Sequence, residues 1–138
     1  MKEKTRLLRA SDNDYRAFYG REPPEGWAGF CAERDGPEGR ATIVAFGWVW
    51  IDQQARAWTG VDKVHEVPPL LLHHGIRDFF VALQQEGIPA LYALCDERIP
   101  NATRWLTRLG FVIDATMPQV YMPVVDKSLP VWKRVFDP

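Results

Sequence analysis

The chain is 138 residues long, with 17 Lys and Arg against 18 Asp and Glu, for a formal net charge of −1. That length suits a single hydrophobic core, and a 46% hydrophobic content excludes wholesale disorder. Near-neutrality excludes the broad electrostatic footprint of a general nucleic-acid binder, and two cysteines are too few for a disulfide framework.

Lys4 to Ala10 reads as a short strand. Ser11 then opens a helix, because Ser11 and Asp14 stand at capping-box spacing and Tyr15, Phe18 and Tyr19 follow at helical intervals. Trp27 to Glu33 is a strand, closed by a turn at Asp35 and Gly36. The strongest strand is Ala41 to Ile51. Strict alternation puts Thr42, Val44, Phe46, Trp48 and Trp50 on one face and Ile43, Ala45, Val49 and Ile51 on the other. Apolar residues on both faces predict a central strand covered on both sides.

Arg56 to Val67 reads as a further strand, ended by Pro68 and Pro69. From His73 to Glu86 the period becomes helical, with Ile76, Phe79, Phe80 and Leu83 as the apolar stripe and Gly87 past the end. Ala90 to Cys95 is a short buried strand. Pro100 to Leu109 is a second helix of the same kind, stopped by Gly110. Phe111 to Thr116 and Gln119 to Val125 read as a final strand pair. The expectation is therefore an α/β fold with a mixed central sheet of six to seven strands and helices on both faces.

The apolar tail, 126–138, carries Leu129, Val131, Trp132, Val135 and Phe136. So apolar a segment does not float free. Its expected role is contact with a partner chain or a second copy, with docking on its own domain as the alternative. Cys31 and Cys95 sit in apolar runs and are expected to be buried thiols of a reducing compartment. Met1 to Arg9 lacks an apolar leader pattern and no run approaches membrane-spanning length, so a cytoplasmic location is expected.

Two stretches carry a family resemblance. One is Asn101-Ala-Thr-Arg-Trp-Leu-Thr-Arg-Leu-Gly-Phe111, and the other is Val67-Pro-Pro-Leu-Leu-Leu-His-His-Gly-Ile-Arg77. With the element order, they resemble the GNAT superfamily of acyl-CoA-dependent N-acyltransferases. The first is similar to the family's last core helix running into a Leu-Gly-Phe strand start. The second is similar to its V-x-P strand end followed by a phosphate-binding loop of pattern Q/R-x-x-G-x-G/A. The resemblance implies a GNAT-like domain over 1–138, with acetyl-CoA as acyl donor. In the family, bare backbone N–H groups of the loop and the helix behind it hold the CoA pyrophosphate.

Carried onto this chain, the cofactor-binding positions are Val67, His73, His74, Gly75, Ile76, Arg77 and Asn101. Leu72 stands where the family has Gln or Arg, and Arg77 where it has Gly or Ala. The Arg77 side chain would either crowd a phosphate or bind it as a charge-assisted donor. The family's thiolate-protonating Tyr is replaced by Leu106, and Asn101 falls about two positions late for the family's helix-start Asn.

Acyl transfer also needs a base for the acceptor amine, which the family commonly supplies from the strand before the loop. Asp62, His65 and Glu66 are available there. Glu66 is the first candidate and Asp62 the second, because alternation puts both carboxylates on one face. The plainer reading makes all three solvated residues of a strand end. His65, His73 and His74 lack metal-ligand spacing, so no metal is expected. Trp48 and Trp50 share a face that packs under a helix or lines an acceptor groove.

The implied function is N-acyl transfer to an amine of a small molecule or protein, by direct attack in a ternary complex. The alternative is a catalytically inactive GNAT-fold protein of a bacteriophage, serving in the virion or as an interaction component. Small phage-encoded GNAT-like proteins are similar in size, in a Trp-rich strand before the loop, and in a sequence like Arg104-Trp105-Leu106 followed by Leu109-Gly110. In that case the location would be the host cytoplasm or the virion. A single-strand nucleic-acid binder using exposed tryptophans is disfavoured by the charge balance, and no membrane partner is expected.

Overall fold

The computed structural model describes residues 5–36, 39, 41–63, 67–95, 101–123 and 126–136. In chain order the elements are β1 (Thr5–Arg9), α1 (Asp12–Tyr19), β2 (Ala28–Asp35), β3 (Ala41–Ile51), β4 (Ala57–Lys63), α2 (Pro69–Gln85), β5 (Ala90–Leu94), α3 (Ala102–Arg108), β6 (Val112–Ile113), β7 (Val120–Met122), β8 (Lys127–Leu129) and β9 (Val131–Val135). Seven strands form one mixed sheet in the order β1-β2-β3-β4-β5-β9-β6, and β7 and β8 form a separate two-stranded ribbon. The expected mixed sheet with helices on both faces is what the chain adopts.

Local chemistry accounts for most boundaries. The capping box at α1 is complete: the Ser11 hydroxyl accepts from the Asp14 N–H at 3.2 Å, and the Asp14 carboxylate accepts from the Ser11 N–H at 2.8 Å. Helix α1 covers one face of the sheet, where Tyr15, Cys31 and Phe46 form a small buried cluster. The main core lies on the other face. There Leu72, Ile76, Phe80 and Leu83 of α2 meet Phe30, Val44, Val49, Leu91 and Trp132, while Trp105 and Leu106 of α3 pack at its margin.

Three expectations need correction. First, β3 does not alternate strictly. Ala32 pairs with Ala45 but Glu33 with Ile43, so Val44 is an extra residue in a bulge. Val44 therefore joins Ala45 and Val49 in the α2-side core, whereas Ile43, Phe46 and Trp48 pack on the α1 side. Second, Phe111–Thr116 and Gln119–Val125 do not pair with each other, since β6 pairs with β9 and β7 with β8. Third, the apolar tail docks within its own domain. Strand β9 lies between β5 and β6, antiparallel to both, with Val131, Trp132 and Phe136 buried.

The β3–β4 turn is held by one carboxylate. Asp52 accepts from the Trp58 indole N–H, the Arg56 Nε–H and the backbone N–H groups of Gln54 and Arg56, each at 2.9 Å. The Trp58 bond, followed by those from Arg56 and Gln54, lowers the Asp52 pKa to about 2. A depressed folded-state pKa means the unfolded chain binds the proton more readily. The stabilisation is therefore present above the ordinary carboxylate pKa of about 4 and is lost as the pH falls towards 2. In Asp52→Asn the thermal midpoint should vary less between these limits than in the parent, which melting curves across that range would check.

At the end of the same turn, Ala55 has φ 61°, the left-handed conformation that glycine adopts without steric cost. Relief of about 1–2 kcal/mol of strain exceeds the extra chain entropy of glycine, about 0.5–1 kcal/mol. Ala55→Gly should raise the melting temperature by about 2–4 °C in calorimetry, and a fall would refute the assignment of strain.

Candidate functional site

Strands β4 and β5 run parallel but pair only at Ala57↔Leu91 and Trp58↔Tyr92. Beyond that point β4 continues against β3 through Lys63, with no strand on its other side among the described residues. The two strands thus splay into a wedge in mid-sheet. Its β4 wall is Thr59 to Lys63, and its β5 wall is Ala93 and Leu94. Helix α2 begins beyond the mouth. The backbone N–H groups of its first turn precede the first intrahelical bond, that from Leu72 N to Pro68 O at 3.2 Å, and no side chain caps them.

Asp62 stands on the α1 side of the wedge, opposite Phe46 in the ladder. Its Oδ2 accepts a hydrogen bond from the Tyr19 hydroxyl at the C-terminal end of α1. The Trp48 indole N–H donates to the same hydroxyl at 3.1 Å. Burial, and then the Asp62 charge, raise the Tyr19 pKa far above the usual phenol range, so the phenol keeps its proton and serves as a donor. Gly60 makes room for this chain, because a Cβ there would lie 2.7 Å from Trp48 Cζ2. Asp62 itself is exposed and has acceptor capacity beyond the Tyr19 bond.

Glu66, the first candidate base, and His65 lie outside the described residues. Asp62 is placed at the wedge. Tyr19 was not anticipated as a site residue: its spacing with Tyr15 and Phe18 marks a packing stripe, and nothing local links it to a carboxylate 43 residues away. The hydroxyl at the end of that stripe was the one available clue.

The expected loop over residues 72–77 is helical instead. Pro68 and Pro69 were read as stops, but proline is favoured in a helix's first turn, and α2 starts there. Gly75 faces β1, where a Cβ would meet Leu7 Cδ1 at 2.3 Å. It therefore acts as a packing glycine between helix and sheet. Val67 and Ile76 are core residues, and so is Leu72. His74 is exposed, while His73 and Arg77 line a groove on the outer side of α2, one and two turns from its start. Asn101 is the exposed N-cap of α3, with φ 66° and its carbonyl accepting from the Trp105 N–H at 2.9 Å. Leu106 packs against the core.

A separate cluster brings ligand atoms of Asp14, Cys31 and Glu33 within 4.8 Å of one another. Asp14 serves the helix cap there and Glu33 pairs with Arg6 at 3.5 Å. Burial pushes the Cys31 thiol up to about 12, so the free thiol keeps its proton at neutral pH. No described helix is long and apolar enough to cross a membrane.

No family model matches the sequence, and no curated protein matches it. Solved structures do match in shape. A GCN5-related N-acetyltransferase from Kribbella flavida superposes with a TM-score of 0.65 at 17% identity, over 96% of this chain and 98% of that one. A protein of Salmonella typhimurium, described as an acetyltransferase and solved with its cofactor acetyl-CoA, gives 0.67 at 13% identity, over 96% and 94%. An N-acetyltransferase from Staphylococcus aureus gives 0.67 at 9% identity, over 96% and 98%. The chain has the GNAT acetyltransferase fold.

Proposed function

We propose that the protein transfers an acyl group from acyl-CoA to an amine, and that Asp62 receives the amine's proton. The observation that carries this reading is the wedge between β4 and β5, in a sheet of the acetyltransferase fold, with a carboxylate at its side. The chain's own groups fit the donor. The open backbone edge of β4 from Thr59 to Lys63 suits the amides of a pantetheine arm, and the uncapped start of α2 suits a pyrophosphate. When bound, the donor supplies a thioester carbonyl open to nucleophilic attack.

The acceptor arrives as an ammonium ion and must lose a proton before it can attack. Asp62 first holds that ammonium by charge and hydrogen bond, then takes the proton. Tyr19 orients the carboxylate by donating to Oδ2, which leaves Oδ1 for the acceptor, and Trp48 fixes Tyr19 from behind. Glu66, the first candidate base in the sequence, lies outside the described residues and is proposed as a partner of Asp62 in proton removal on its sequence position alone. Among the described residues of this arrangement none is positioned as a covalent nucleophile, and the proposed attack is direct, in a ternary complex.

The test is twofold. Acetyl-CoA should raise the melting temperature in a saturable manner, and no shift at millimolar concentration would overturn the proposal. With a panel of primary amines, Asp62→Asn should lower kcat/KM by about 10²- to 10⁴-fold while leaving the acetyl-CoA Kd unchanged. Unaltered turnover would remove Asp62 from the role.

A further inference from the structure

On the outer side of α2 lies a cavity of about 320 Å³, bounded by α2, the turn from α3 into β6, and β9. Its charged lining is Arg77, Arg108 and Arg134 with the imidazole of His73, and among the described residues no carboxylate contributes to it. Phe80 and Phe136 form its apolar floor. Three guanidinium groups gathered with no acid among the described residues repel one another, an arrangement that an anion relieves.

Arg134 is built into place. Its Nη1 donates to the Leu109 carbonyl at 2.8 Å, and its guanidinium carbon lies 5.2 Å from the Phe80 ring centroid and 5.3 Å from that of Phe136. Gly110, at φ 91°, leaves the space beside it, since a Cβ there would stand 3.4 Å from Arg134 Nε. Arg77 and Arg108 are exposed on facing elements, and among the described residues neither has a carboxylate partner. One anchored and two exposed guanidinium groups around a small cavity suit an oxyanion held by paired N–H donors.

We propose that this groove is an anion site for a phosphate- or diphosphate-bearing small molecule, separate from the wedge between β4 and β5. Helical rise puts Arg77 about 12 Å beyond the start of α2, and Arg134 belongs to β9, on the far side of β5 from the wedge. The cavity's volume matches a small ligand rather than a peptide. Arg77 thus acts neither by crowding the donor's pyrophosphate nor by holding it. It serves a different anion.

Inorganic pyrophosphate and inorganic phosphate are the probes, titrated by calorimetry at constant ionic strength against the full chain. Pyrophosphate is expected to bind saturably at one site. The Arg77→Ala/Arg108→Ala double variant changes only exposed side chains, and it should weaken that binding by 10-fold or more while leaving acetyl-CoA affinity unchanged. Loss of acetyl-CoA affinity in the same variant, or exclusion of pyrophosphate by acetyl-CoA, would make the groove part of the donor site and overturn the proposal. Absence of saturable binding, or binding indifferent to the double variant, would overturn it as well. Acetyl-CoA binding with no pyrophosphate binding would sink this site alone and leave the proposed transferase activity standing.

Discussion

A chain ended at Pro130 should fail to unfold cooperatively in urea. The deletion removes β9, which pairs with β5 from Leu94↔Val131 to Ala90↔Val135 and is, among the described residues, the only neighbour of β6 in the sheet. It also removes Val131, Trp132 and Phe136, each more than nine-tenths buried. At about 1.5–3 kcal/mol for each buried side chain, the apolar loss alone is about 5–9 kcal/mol. That is comparable with the whole stability of a typical domain, about 5–15 kcal/mol. Urea titration followed by far-UV circular dichroism, with dye binding to report exposed apolar surface, measures the outcome. A sigmoidal transition within about 1 M of the parent midpoint would mean that the sheet is complete without β9.

Phe46→Ala is the second large effect. The ring is fully buried on the α1 face and meets four others, with centroids 5.5 Å away at Tyr19, 5.6 Å at Tyr15, and 5.7 Å at Phe18 and Trp27. Those rings come from α1 and from Trp27 just before β2, so the void cannot close without moving both. A loss of about 3–5 kcal/mol is expected, a fall of about 2 M in the urea midpoint. Tyr19 leans on this ring, so the orientation of Asp62 should loosen in the same variant. Phe46→Leu, which retains most of the volume, should lose clearly less, and an equal loss would argue against cavity formation as the cause.

How much of this was legible depended on how local its cause was. The capping box at Ser11 and Asp14, the bounds of β3 and the stop at Gly110 were readable because each follows from residues within a few positions. The Val44 bulge was not, since it arises from register against β2 and leaves no mark in an apolar run. The start of α2 was misplaced because the Pro-Pro pair fits a strand's end and a helix's first turn equally well. The same misplacement turned Gly75 into a loop glycine. Its real neighbour, Leu7, is 68 positions earlier and invisible to spacing (75 − 7 = 68). At the candidate site, Asp62 was legible as a candidate because a carboxylate on a strand end is conspicuous. Tyr19 was missed because aromatic residues at helical spacing read first as packing.

The strand order gives folding two tempos. From β1 to β4 each strand is followed in the chain by its neighbour in the sheet, so pairing there closes short loops. The other half has to assemble out of sequence: the gap between β5 and β6 stays unfilled until residues 131–135 arrive from beyond the β7–β8 ribbon. Such distant pairings set the pace of folding. Until β9 slots in, Leu91 and Ala93 present a raw strand edge to any other chain in the same state, so crowding during refolding should favour aggregation over completion. The tail is thus a latch: the sheet is incomplete without it, and its late closure also governs the yield of refolding.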